Sequence, residues 1–139
     1  MARELKGNKH YGTVYESMFA VEALKRSLHL SEPKGDYMPY DFVLDNGRGL
    51  HRIQVKGTKS TSQSSGYKIT VGQGNSRGGK DVRPNDSYDF LAAVVMYEGV
   101  SIWYIIPEKL INTITIKFFC DPRSKGKWEK YKHAWNLIC

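Results

Sequence analysis

Apolar residues recur at spacings of three and four early in the chain. Val14, Met18, Val21, Leu24 and Leu28 form a stripe that predicts a helix over residues 13–30, ended by Pro33 and Gly35. The period then changes. Residues 40–44 are rich in β-formers, Asp45-Asn46-Gly47-Arg48 is a turn signal, and residues 50–56 read as the returning strand of a hairpin. Residues 67–71 alternate as a third strand. Residues 88–97 and 100–106 are the most apolar segments, and the Glu98-Gly99 corner predicts a hairpin at the centre of the sheet. Pro107 ends it, a helical turn follows over 107–111, and residues 113–119 predict a last strand. Trp128, Tyr131, Trp135 and Ile138, spaced three, four and three, predict a final helix. Residues 1–11 read as a polar arm, 57–66 and 72–87 as polar loops, and 120–127 as a basic loop. No repeat or linker divides the chain. The expectation is one domain, 1–139, of α/β (α+β) class: a mixed β-sheet flanked by helices.

Charge narrows the function classes. The net charge is +7 over 139 residues, an excess whose commonest meaning is attraction to a polyanion such as nucleic acid. The chain has two cysteines, Cys120 and Cys139, far apart and without metal-ligand spacing, which argues against a disulfide framework or a zinc site. No window approaches the ~18 apolar residues of a membrane helix. The first twelve residues carry no apolar stretch behind their charges, so a cytoplasmic protein without a signal peptide is expected.

The informative chemistry lies on the first hairpin. Side chains alternate across a strand, so Gln54 and Lys56 share a face while Ile53 and Val55 point to the core. Phe42 and Leu44 also claim the core, which turns Asp41 the other way. A two-residue turn at Asn46-Gly47 puts Asp41 opposite Arg52; a four-residue loop puts it opposite Gln54. Both gather Asp41, Gln54 and Lys56 on one side, and a three-residue loop would scatter them. A carboxylate with a second oxygen donor can hold Mg²⁺, and a neighbouring lysine can stabilise charge that develops on a phosphate. Glu16, off the apolar stripe of the helix, is the candidate second carboxylate. Plainer readings exist: Asp41 paired with Arg52, and Glu16 as an exposed glutamate near the helix start. Trp128, Tyr131 and Trp135 read as core, and His10, His29, His51 and His133 receive no role.

Pro39-Tyr40-Asp41 followed by Gln54-Val55-Lys56 resembles the PD-(D/E)-XK nuclease motif. Tyr40 is inserted between proline and aspartate, and Gln54 stands where the motif has an acid, which removes one negative charge. The glutamine form resembles the small intron-encoded homing endonucleases of bacteria. The likeness extends through the helix carrying Glu16, the segments IQVKGT, YDFLAAVVM and IWYIIP, and the terminal KYKHAWNLI. It implies a restriction-endonuclease-like core. It makes Asp41 the central metal ligand, joined by the Gln54 side-chain oxygen, the Val55 carbonyl and Glu16, with Lys56 assisting the water. It further implies Mg²⁺, with Mn²⁺ substituting, double-stranded DNA as substrate, and a homodimer or homotetramer. Expected DNA contacts are Lys59, Gln73, Asn75, Arg77, Lys80, Arg83, Arg123 and Lys125. Two rivals share the pattern: a Holliday-junction resolvase on the same fold, and an inactive DNA-binding module in which Gln54 marks a lost acid.

Overall fold

The longest strands alternate between two apolar cores, and that alternation sets the architecture. A computed structural model describes residues 7–59, 66–97, 99–120 and 126–139. Among these the chain runs α1 (Asn8–Lys25), β1 (His29–Ser31), β2 (Phe42–Asp45), β3 (Leu50–Thr58), β4 (Tyr67–Thr70), β5 (Gln73–Gly74), β6 (Lys80–Asp81), β7 (Phe90–Tyr97), β8 (Val100–Pro107) and β9 (Thr115–Phe118). The main sheet has the order β1-β2-β3-β7-β8. It is mixed: β3 and β7 run parallel, and the other neighbours are antiparallel. On β7, Ala92 and Val94 face one core and Leu91, Ala93 and Val95 the other. A strand buried on both faces reads as an unbroken apolar run, as residues 90–96 do.

The first core lies between the sheet and α1. Tyr15, Phe19 and Ala23, spaced by four, pack on Phe42, Leu44, Ile53, Val55 and Trp103. The Phe19 ring lies 5.7 Å from Phe42 and 5.8 Å from both Trp103 and Trp135. The buried stripe is therefore not the one the spacing of Val14, Met18 and Val21 predicts; Val21 is 53% and Leu24 62% exposed. The helix carries two apolar rows, and the aromatic row buries more area and adds ring contacts. The helix also starts at Asn8, within the expected polar arm, and ends at Lys25. Its stop is a Schellman turn: Leu28 N–H donates to Ala23 O, Ser27 N–H donates to Leu24 O, and Ser27 takes φ 59°. Serine rather than glycine holds the left-handed position, so the usual stop signal is missing. The chain then forms β1, which pairs with β2.

The second core is closed by strands. β4 and β9 pair antiparallel, and Tyr67, Ile69, Ile116 and Phe118 pack on Leu91, Val95, Tyr104 and Ile106. Among the described residues α1 is the one α-helix, so this face of the sheet is covered by β-structure. No described helix is long and apolar enough to cross a membrane.

The β7–β8 hairpin lies at one side of the sheet rather than its centre. Parallel pairing of β7 with β3 leaves β8 as the edge. The C-terminal segment covers that edge, and this breaks the expected final helix into two short 3₁₀ turns, Glu129–Tyr131 and Trp135–Leu137. Between them Lys132 bridges to Tyr104, His133 N–H donates to Trp103 O at 2.7 Å, and His133 takes φ 53°. A continuous helix would send its apolar residues to one side. Instead Trp128 enters the second core, and Trp135 and Ile138 enter the first.

Gly57 on β3 passes beneath Tyr15: a Cβ there would lie 2.4 Å from the ring. Gly57→Ala should therefore lower stability by about 1–3 kcal/mol through overpacking. Gly12, inside α1 with open space around its Cα, should do the opposite, gaining about 0.5–1 kcal/mol on becoming alanine. Urea midpoints of the two variants should move in opposite directions. A parent-like midpoint for Gly57→Ala would refute the tight Tyr15 contact.

Candidate active site

The site is built on an open strand edge. β2 begins pairing at Phe42 opposite Ile53, while β3 runs on to Thr58. The turn has four residues, because Asp45 pairs with Leu50. Asn46 Oδ1 holds it by accepting from Arg48 N–H at 2.9 Å and Gly49 N–H at 3.0 Å, and Gly47 takes φ 82°. Of the registers the sequence leaves open, this is the one that sets Asp41 against Gln54. Asp41 N–H donates to Ile53 O at 2.8 Å. Its carboxylate then bends over the free edge, where Oδ2 accepts from Val55 N–H at 2.7 Å and Gln54 Nε2 at 2.9 Å. Arg52, the alternative partner for Asp41, turns instead to Asp86 and Asp89, with ion-pair distances of 2.5 and 3.0 Å.

Glu16 reaches the same place from α1. Burial first, then the Asp41 charge and a hydrogen bond with Asp41, raise its pKa to about 7; Glu32 adds to the rise and Lys56 opposes it. Glu16 thus holds its proton well above the ordinary carboxylate range, beside Asp41. Gln54 is buried, and its amide nitrogen faces Asp41 and lies 3.4 Å from the Val55 carbonyl oxygen. Lys56 is half-buried on the same strand face. Burial lowers its pKa, Arg83 and Lys80 lower it further, and Asp41 and Glu16 pull the other way.

These groups open onto one cleft of about 970 Å³, lined by Glu16, Asp41, Gln54, Lys56, Lys59 and Lys80 among others. Lys59 sits at its rim with its ammonium 3.7 Å from the Tyr11 ring centre. Arg83 reaches the Lys56 surroundings while its Nε donates to Val71 O at 3.2 Å. Gln73, Asn75 and Arg77 lie farther out on the β5–β6 ribbon. Arg123 and Lys125 lie outside the described residues, as do Glu98, residues 1–6 of the expected arm and residues 60–65 of the first loop. Sequence reasoning missed Lys68, Tyr11 and Glu32. Lys68 alternates with buried Tyr67 and Ile69 on β4 and lines the cleft, a signal present in the strand's period of two. Glu32 follows β1, a strand that the pattern hid inside the predicted helix.

Among the described residues no three Asp, Glu, His or Cys side chains cluster. A cation here would rest on the Glu16 and Asp41 carboxylates, completed by neutral oxygens. That set fits a hard divalent ion: it is all oxygen, and the proton held on Glu16 is one that an ion can displace. The Gln54 oxygen would join only after the amide turns over, since its nitrogen faces Asp41 here.

The model of the PD-(D/E)XK endonucleases matches residues 7–138. The chain belongs to this family. Among solved structures, this PD-(D/E)XK endonuclease resembles a bacterial homing endonuclease, I-Ssp6803I, with TM-score 0.82 and 24% identity over 96% of this chain and 93% of that one. At that identity the likeness speaks to the fold, a restriction-endonuclease-like mixed sheet. MepB matches with TM-score 0.49 and 14% identity over 88% of this chain and 93% of that one. No curated protein matches the sequence. The motif resemblance of Asp41 and Gln54-Val55-Lys56 thus falls within a family match that spans nearly the whole chain, and the protein is an endonuclease.

Proposed function

We propose that this endonuclease is a Mg²⁺-dependent, site-specific enzyme of the homing type that hydrolyses phosphodiester bonds in double-stranded DNA. The observation that carries the reading is the joint position of Glu16, Asp41, Gln54 and Lys56 at one cleft, with the Glu16 pKa raised by burial and by Asp41. Glu16, Asp41, the turned Gln54 amide and the Val55 carbonyl would hold the ion. When bound, it supplies neutralisation of the phosphate and a more acidic water. The chain's own groups do the rest. Lys56 has lost hydration to burial, and it stabilises charge that grows on the phosphate oxygens. Val55 N–H and Gln54 orient the Asp41 carboxylate. Lys59, Lys68 and Lys80 draw the DNA backbone to the cleft. One site cuts one strand, so a double-strand break calls for a homodimer or homotetramer.

A randomised duplex library incubated with Mg²⁺ tests this. Cutting at one recurrent sequence, abolished by EDTA and restored by Mg²⁺ or Mn²⁺, is expected. Selective binding without cutting in either ion would make the chain an inactive DNA-binding module. Preferential cutting of a four-way junction over linear duplex would make it a resolvase.

A further inference from the structure

The β5–β6 ribbon has no packing role that accounts for it. From Gly74 to Val82 every residue is exposed except the half-buried Asn75. Two strands of two residues are far below the size at which a hairpin holds itself together in water. Yet this one is held at both ends. At its root, Val71 and Gly72 N–H both donate to Ile114 O, at 2.7 and 2.9 Å. There a Cβ on Gly72 would meet Asp81 O at 2.5 Å, so the strands meet closely. At the tip, Gly78 N–H donates to Asn75 O at 3.3 Å and Asn75 N–H donates to Gly79 O at 3.0 Å. With Gly78 at φ 83°, this is a type I turn followed by a left-handed glycine, a standard three-residue hairpin loop.

Asn75 is the staple. Its Oδ1 accepts from Arg77 N–H and Gly79 N–H, each at 3.0 Å, and its Nδ2 donates to Asp81 Oδ1 at 3.0 Å. Its amide is committed to the ribbon and is not available to a base. Arg77, at the tip, is exposed, and its guanidinium makes no hydrogen bond or ion pair among the described residues.

We propose that the β5–β6 ribbon is the element that reads base sequence, with Arg77 contacting a guanine edge in the major groove and Asn75 holding the ribbon in shape. The inference rests on the DNA-endonuclease reading and deepens it. The ribbon's root shares the cleft wall, through Gly72 and Lys80, with the acids and lysine of the site. DNA whose backbone lies in the cleft therefore brings a groove to the ribbon. The major groove, about 12 Å wide and 8.5 Å deep, admits a two-stranded ribbon and shows a pattern that tells all four base pairs apart; the minor groove, about 6 Å wide, shows a degenerate one. Residues 73–77, at about 3.3 Å per residue, reach on the order of 13 Å, enough to bring the tip to the groove floor. There an arginine fork matches guanine O6 and N7.

The test is duplex selection from a randomised library by the full chain and by Arg77→Ala and Asn75→Ala, with melting temperatures alongside. The parent is expected to select a sequence with a fixed G·C pair that Arg77→Ala no longer requires. Affinity of Arg77→Ala for the parent's sequence should fall about 5- to 150-fold, with the salt slope lower by no more than about one. Asn75→Ala should lose the same preference with little change in melting temperature, because the ribbon stands outside both cores. If Arg77→Ala selects the parent's sequence, or weakens binding equally on every sequence, the ribbon is not the reader and the nuclease reading stands. A parent that retains no duplex overturns both.

Discussion

Replacing Lys56 with alanine is expected to slow DNA cleavage by about 10²–10³-fold, the usual loss when one positioned group that meets transition-state charge is removed. Duplex affinity should change only a few-fold, because Lys59, Lys68 and Lys80 remain at the cleft. Misfolding is a poor alternative explanation. Burial disfavours the charged form of Lys56, so at neutral pH its charge costs stability rather than adding it. That cost is present below the lowered folded-state pKa and disappears as pH rises through it. Lys56→Met should therefore melt at or above the parent temperature at pH 7 while cutting as poorly as alanine. Asp41 needs a different design. Its carboxylate satisfies Val55 N–H and the Gln54 amide, so alanine would leave buried donors unpaired at about 1–3 kcal/mol. Asp41→Asn keeps an acceptor at that place and removes the charge. It should fold, bind DNA and lose cutting to at least the extent of Lys56→Ala. Normal cutting by either charge-removing variant would sink the assignment of this cleft as the active site.

What is legible in the sequence follows from what alternation can carry. On β2 and β3 the apolar residues claim one face without competition, so the polar face of Asp41, Gln54 and Lys56 follows from spacing alone. The turn length stays open because Asn-Gly serves both two- and four-residue turns, and the choice rests on Asn46 Oδ1 holding two further amides. Helix α1 misleads for the opposite reason. It has two apolar rows, and periodicity cannot tell which one meets the sheet; Gly57 and Phe42 decide that from outside the helix. The C-terminal aromatics mislead because helical spacing and an edge-hugging path put apolar residues at similar intervals. Only the open hydrogen bonds of β8 distinguish them. At the site, Glu16 is reached by its place off the predicted stripe, although that stripe is not the buried one. Its position 25 residues before Asp41 gives no hint of its raised pKa, which comes from burial and from a carboxyl partner on another element.

The proton held on Glu16 gives the second large effect. In the ion-free protein Glu16 has a pKa of about 7, against an ordinary 4.5, because burial and Asp41 both favour its protonated form. A divalent ion needs both acids ionised, so binding must expel this proton. Below about pH 7 the apparent Mg²⁺ affinity should fall about tenfold per pH unit, and cleavage at limiting Mg²⁺ should fall with it; above pH 7 both should level off. The stability of the ion-free protein follows the opposite sign. The folded state holds a proton that the unfolded state releases from about 4.5 upward, so stability declines as pH rises from there to about 7 and then stays flat. Added Mg²⁺ should restore it at pH 8 and not at pH 5. Glu16→Gln removes the titrating group: its Mg²⁺ affinity should be weaker at pH 8 and nearly independent of pH between 5.5 and 8. Calorimetric titration in two buffers of different ionisation enthalpy reads the proton directly, with close to one released per ion in the parent at pH 6 and close to none in Glu16→Gln. A parent that binds Mg²⁺ equally at pH 5.5 and 8 with no proton release would place the ion away from Glu16, and the ligand set would have to be rebuilt around Asp41 without it.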